Sequence, residues 1–166
     1  AEPDVNSDII HSIRWNAEEV FPNSLTFQDL FVVFIPSKEL ALMAVNDETD
    51  GWVEVIYNNT TGDKGWMKVD DPYRFMTWIN FYNMYGKKYG LYILKGAPDN
   101  IKDMKGTIGD QTPVVARMNI PRKIQLNVLR GNWALVSVLD LDRTSKTGYV
   151  HWRSTDGVKY MFPDIK

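Results

Sequence analysis

The chain has 166 residues, of which 44% are hydrophobic, 24% charged and 13% aromatic, with a formal net charge of −2. That balance excludes disordered and fibrous classes, and the length suits one ordinary domain or two very small ones. A net negative charge without any run of Lys or Arg argues against nucleic acid and against docking on an anionic membrane, since both need a series of cations. The absence of cysteine removes thiol nucleophiles, disulfides and thiolate metal sites together.

Ala1 to Asn6 is polar and contains Pro3, and reads as a loose arm, after which Ser7-Asp8 can cap a short helix through Ile9, Ile10, Ile13 and Arg14. The opening Ala1-Glu2-Pro3-Asp4, without Met, is what cleavage at a signal-peptide or lipoprotein site would leave, as would removal of any tag. The longest apolar stretch, Leu30 to Pro36, falls far short of the roughly 20 residues a membrane crossing needs.

From Leu30 onward the pattern turns to short β-rich runs: Phe31 to Ile35, Ala41 to Val45, Trp52 to Tyr57 and Gly65 to Val69. Turn formers separate them at Pro36-Ser37-Lys38, Asn46 to Gly51 and Asn58 to Asp63. Asp70-Asp71-Pro72 then offers a helix start. Phe75, Trp78, Ile79, Phe81, Tyr82 and Tyr85 follow, mostly at spacings of three and four, which predicts a helix from Pro72 to about Tyr85 with a buried aromatic stripe. Gly86-Lys87-Lys88 is its expected end, a glycine followed by cations at the negative pole of the helix dipole.

Strand-like runs resume at Tyr89 to Leu94, Val114 to Met118, Lys123 to Leu129, Trp133 to Asp140, Thr147 to Arg153 and Val158 to Phe162, with Lys95 to Thr112 expected as a long loop.

Two segments look like copies of one unit. Asp50-Gly51-Trp52-Val53-Glu54-Val55-Ile56 with Lys64-Gly65-Trp66-Met67-Lys68-Val69 matches Gly131-Asn132-Trp133-Ala134-Leu135-Val136-Ser137-Val138 with Thr147-Gly148-Tyr149-Val150-His151-Trp152. Each is a tight turn, a Trp-led strand, a polar loop, then Gly and an aromatic residue opening a second strand. The pairing resembles the bacterial SH3-like (SH3b) family, whose modules end in such strands and often occur in tandem in exported proteins. Tyr89 to Leu94 followed by Gly96-Ala97-Pro98 stands where that family has its opening strand and loop, whereas Phe31 to Ile35 has a shorter connection than family members carry.

The resemblance implies a mainly β fold of two small SH3-like β-barrels joined by a short aromatic-rich helix. The first module would span residues 8–70, the linker helix 71–88 and the second module 89–166. It also implies a secreted, periplasmic or cell-surface location, with lipoprotein anchoring as one form of it.

Alternate residues of a strand point to opposite faces, so Val53 and Val55 oppose Trp52 and Glu54, Met67 and Val69 oppose Trp66 and Lys68, and Val150 and Trp152 oppose Tyr149 and His151. Trp133 sits opposite Ala134, Val136 and Val138. A core cannot take unpartnered Glu54, Lys68 or His151, so the valine faces are expected inside. Trp52, Trp66, Lys68, Trp133, Tyr149 and His151 are then the candidate ligand-binding residues. The alternative is that the rings cover the second side of a small barrel or pack the modules together.

Catalytic chemistry finds little support. The two histidines are His11 and His151, and no Gly-x-Ser-x-Gly elbow, phosphate loop, His-Glu-x-x-His or paired-Cys spacing occurs. Asp47 to Asp50 and Asp140-Leu141-Asp142 lack the glycine and distal Glu of a calcium loop and read as acidic turns. Asn58 to Thr61 contains two glycosylation-type sequons that a polar turn readily produces. The expectation is a non-catalytic protein needing no cofactor or metal, which binds a peptide, glycan or protein of the cell envelope. An interaction or scaffold protein is the alternative, and a glycosidase built from two carboxylates a third.

Overall fold

The computed structural model describes residues 25–69 and 76–166. The expected helix at Ser7 to Arg14 and the expected helix start at Asp70 to Phe75 lie outside them. The chain divides into two compact units, Ala1–Phe75 and Met76–Lys166.

In the first unit, helix α1 (Phe27–Leu30) begins in a capping box: Thr26 Oγ1 accepts from the Asp29 amide, and the Asp29 carboxylate accepts from the Thr26 amide at 2.9 Å. The Thr26 hydroxyl, which donates to the Asp29 carboxylate at 2.6 Å, the Thr26 amide and a bond from Thr60 together hold the Asp29 carboxyl below the usual carboxylate range. A three-stranded antiparallel sheet follows, in the order β3 (Ala44–Thr49), β4 (Trp52–Asn58), β5 (Asp63–Lys68). The polar turn after β4 ties it to α1, because Asn59 donates twice to the Asp29 carbonyl and Thr60 Oγ1 donates to the Asp29 carboxylate at 2.9 Å. The residues of the sequon-like turn thus serve as an anchor. Among the described residues strands β1 (Val33–Ile35) and β2 (Leu40–Leu42) pair only with each other. Leu30, Val33, Ala44, Val53 and Val55 are the buried apolar residues among the described residues of this unit. The turn expected from Asn46 to Gly51 is shorter, since β3 runs to Thr49 and Asp50-Gly51 make the reversal, both with positive φ.

The second unit opens with α2 (Trp78–Phe81), capped by Thr77 Oγ1 on the Asn80 amide. A single π turn (Tyr82–Gly86) carries it into α3 (Lys87–Tyr89). The helix therefore continues past the end expected at Gly86. Gly86 is needed for packing, since a Cβ there would stand 3.0 Å from the side chains of Leu126 and Leu91. Termination falls on Gly90, whose φ of +88° suits only glycine and whose added Cβ would meet the Ile124 carbonyl at 2.8 Å.

Seven strands follow: β6 (Leu91–Ile93), β7 (Asp103–Lys105), β8 (Val114–Arg117), β9 (Pro121–Arg130), β10 (Trp133–Asp140), β11 (Ser145–His151) and β12 (Met161–Pro163). Their order in the sheet is β12-β6-β9-β10-β11-β7-β8. The stretch expected as a long loop contains a 3-10 turn (Asp99–Lys102) and β7, whose Met104 is fully buried. Arg117 bonds both Asp99 and Asp103, and so clips β8 to this turn and to β7. The core gathers Trp152, Tyr82, Met104, Met118, Leu126, Met161, Val136, Val138 and Val150, with the helical aromatics Phe81 and Tyr82 packed on Phe162.

The expected pair of closed SH3-like β-barrels is not what the chain forms. Closure requires the outer strands of a sheet to pair with each other. Among the described residues of the first unit β3 and β5 pair only with β4, while the second sheet runs openly from β12 to β8. The chain is a mixed fold of open sheets and short helices. The similarity between its two halves is confined to the Trp-led hairpins β4–β5 and β10–β11.

Candidate functional site

The face of the first unit that carries two indoles follows from strand alternation. Val53 and Val55 turn inward at 1% and 5% exposure. The other face of β4 then presents Trp52, Glu54 and Ile56, which register across the ladder with Lys68, Trp66 and Lys64. Each indole of this face stands opposite a charged side chain, Trp52 opposite Lys68 and Trp66 opposite Glu54. Trp52, Glu54 and Trp66 are half-buried and Lys68 is exposed. The Glu54 carboxylate is fixed on this face by Asn46 Nδ2 at 2.5 Å and by Lys64 Nζ at 3.7 Å. The face thus offers flat apolar area, the exposed Lys68 ammonium and an oriented Glu54 carboxylate. Met67 shares the inner face opposite Val53 but is 42% exposed, because β5 is an edge strand whose inner side is incompletely covered.

In the second unit Ala134, Val136, Val138, Val150 and Trp152 are all at or below 1% exposure, as alternation predicts. The other face carries Trp133, Leu135 and Ser137 of β10 against His151, Tyr149 and Thr147 of β11. Trp133 is not at the surface: it is 8% exposed, with the His151 ring lying on it. His151 Nε2 in turn pairs with the Asp110 carboxylate at 2.8 Å. Tyr149 is half-buried opposite Lys105 of β7, and Ser137 Oγ bridges Asn127 and Thr147 in a polar ladder. The structure therefore brings Trp52, Trp66 and Lys68 together on one unit, and Trp133, Tyr149 and His151 on the other.

Two features escaped the sequence reading. Asp140, expected in an acidic turn, ends β10 with 1% exposure and receives Lys146 Nζ at 2.7 Å. Past β11, Arg153 and Lys159 form a β-bridge, the Arg153 guanidinium over the Trp152 ring and the Lys159 ammonium 4.1 Å from the centre of the Trp78 ring. The signal for the second was present in Asp156-Gly157, a turn that puts the flanking residues on paired positions.

Among the described residues no group of three or more acidic or histidine side chains could hold a metal ion, and no helix is long and apolar enough to cross a membrane. No protein-family model matches the chain, and neither the curated proteins nor the solved structures contain a significant match. The resemblance to SH3b modules stands on the repeated hairpins alone.

Proposed function

We propose that the protein is a non-catalytic binding module of the bacterial cell envelope, recognising peptide or cell-wall glycan fragments through the β4–β5 face. The observation that carries this reading is the register of Trp52 opposite Lys68 and Trp66 opposite Glu54. Indoles give stacking area to sugar rings or apolar side chains, while Lys68 and Glu54 give directional polar contacts beside them. The absence of nucleophile and phosphate motifs supports a non-catalytic role. The envelope location is drawn from the resemblance of the two hairpins to modules of exported proteins.

Titration of the protein with soluble muropeptides, followed by Trp fluorescence, tests the reading. Saturable quenching is expected, weakened by Trp52→Ala or Trp66→Ala while the far-UV circular dichroism is retained. Wild type that shows neither quenching nor retention on any wall preparation would sink it.

A second reading, a protein–protein interaction or scaffold role, is favoured by β8. This strand ends the seven-stranded sheet with Val114 51% and Val115 61% exposed, and open sheet edges accept further strands. Pull-down of an envelope protein that is lost with Val115→Lys, muropeptides giving no quenching, would favour it.

A further inference from the structure

We propose that the second unit holds a binding site for a carboxylate ligand between Arg153 and Lys159, with the Trp78 ring as its apolar wall. The site does not depend on the β4–β5 reading, because all its residues belong to the other unit.

Arg153 and Lys159 are paired across an antiparallel bridge, the arrangement in which like charges repel most directly within a sheet. Both are half-buried, and among the described residues no carboxylate lies within ion-pairing distance of either. The neighbouring acids are engaged elsewhere: Asp156 accepts from the Ser154 hydroxyl, and Asp164 pairs with Lys166 at 2.8 Å. In a chain with 21 acidic and 19 basic residues, two adjacent cations without an anion are not a by-product of surplus positive charge.

The indole faces of Trp152 and Trp78 offset part of the repulsion, but neither ring carries a charge to balance two cations. Burial and the Arg153 charge together hold the Lys159 amine below its ordinary value. An arriving anion relieves both.

The geometry points to a carboxylate. Arg153 Nε donates to Asn132 Oδ1 at 2.7 Å, which fixes the guanidinium plane and leaves its Nη nitrogens without a protein partner among the described residues. A fixed planar fork beside a movable ammonium matches the two oxygens of a carboxylate. Beside them the Trp78 ring, over which the Lys159 ammonium lies, is half-buried, so the group bearing the carboxylate meets aromatic area. A peptide C-terminus and an acidic sugar both carry that chemistry.

The test is NMR titration of the isotope-labelled full chain with acetyl-Ala-Ala-Phe bearing a free C-terminus, with its C-terminal amide, with galacturonate and with galactose. A carboxylate probe is expected to shift the Arg153 Nε, Lys159 Nζ and Trp78 indole resonances saturably, and to raise the Lys159 amine pKa. The uncharged counterparts leave these signals in place. Saturation by the peptide alone assigns the site to peptide ends, and by galacturonate alone to acidic sugars. Lys159→Gln should weaken binding about fivefold or more, the loss of one charge-assisted contact. Retained dispersion of the Trp152 and Tyr82 signals shows that this variant is folded. Arg153→Lys, which keeps the charge and loses the planar fork, should weaken binding as well and serves if Lys159→Gln does not fold. The proposal is overturned if neither carboxylate probe moves the site signals, or if folded variants bind as wild type does.

Discussion

The ring of His151 lies on the indole of Trp133, with centroids 3.7 Å apart at directly paired positions of β10 and β11. His151 Nε2 reaches the Asp110 carboxylate, while its Nδ1 is buried without a hydrogen-bond partner. The contact seals Trp133 and fastens the segment between β7 and β8 to the sheet. That segment is held a second time by Lys105 Nζ, which donates to the Asp110 and Thr112 carbonyls at 2.8 and 2.7 Å. Removing His151 uncovers an indole, so His151→Ala should lower stability by about 1–2 kcal/mol. Asp110→Ala removes only an exposed hydrogen-bonded contact with His151, worth less than about 1 kcal/mol. Amide exchange around Gly109 should rise modestly in Asp110→Ala and more in Lys105→Met, which strands two carbonyls. Equal exchange in the two variants would show that Lys105 does not hold the segment.

The two glycines that open the second strands of the repeated hairpins have different physical roles. A Cβ on Gly148 would stand 3.0 Å from the Lys105 carbonyl oxygen and from Met104 Cβ, because β7 crosses close to β11 there. On Gly65 it would meet only the Tyr57 ring, at 3.4 Å, an ordinary contact. Gly148→Ala should therefore cost about 1–3 kcal/mol, as overpacking against backbone does. Gly65→Ala should stay within about 0.5 kcal/mol of wild type. Thermal melts of both variants check the contrast, and similar losses in the two would refute it.

This difference shows what could be read before the structure and what could not. Alternation correctly turned Val53, Val55, Val136 and Val150 inward, since period two dictates which residues share a face. It carries no information about what lands on the other face. Trp133 is buried because His151 settles on it, and Met67 is exposed because nothing sufficient covers β5 from within. The helix was legible in its aromatic spacing, but not its bounds: it was expected from Pro72, whereas Met76 and Thr77 are not helical and Thr77 caps a start at Trp78, and its end was missed because Gly86 serves Leu91 and Leu126 as a packing gap rather than a stop. Closure into barrels was the largest error. Trp-led hairpins set local pairing, whereas closure depends on contacts between distant strands that no local pattern records. The half of the candidate site on β4–β5 follows from the hairpin alone. The Arg153–Lys159 pair needed the bridge to be seen.

Asp140 and Lys146 give a prediction about a buried charge. The Asp140 carboxylate accepts from Lys146 Nζ at 2.7 Å and from the Asn119 amide at 3.3 Å, its other oxygen having no partner, and Lys146 also donates to the Arg117 carbonyl. Breaking one side of such a pair leaves the other charge stranded, so Asp140→Asn should cost about 3 kcal/mol. The double change Asp140→Leu with Lys146→Met removes both charges and should recover most of that loss. A double-mutant cycle by chemical denaturation measures the coupling, and purely additive losses would show that the two charges do not depend on each other.

Tyr82 links the helix to β12 and gives the chain a predictable response to alkali. Its ring is fully buried against Trp152, with centroids 4.3 Å apart, and its hydroxyl donates to the Met161 carbonyl at 2.5 Å. Burial is the main cause that pushes the phenol well above its ordinary value of 10.0, the electrostatic influence of Tyr92 adding to it. In the unfolded chain the phenol loses its proton near its ordinary value, whereas in the folded chain it keeps it. Above that value the folded state therefore binds more protons, and stability falls as pH rises. This contribution is fully present below about pH 10 and is lost above it by up to about 1.4 kcal/mol per pH unit. Tyr82→Phe should cost about 1 kcal/mol at neutral pH, the net worth of a buried hydrogen bond. Between pH 10 and 11.5 the variant should lose less stability than wild type, so the two denaturation curves converge. Curves that stay parallel through that range would mean that the Tyr82 hydroxyl already reaches water in the folded protein.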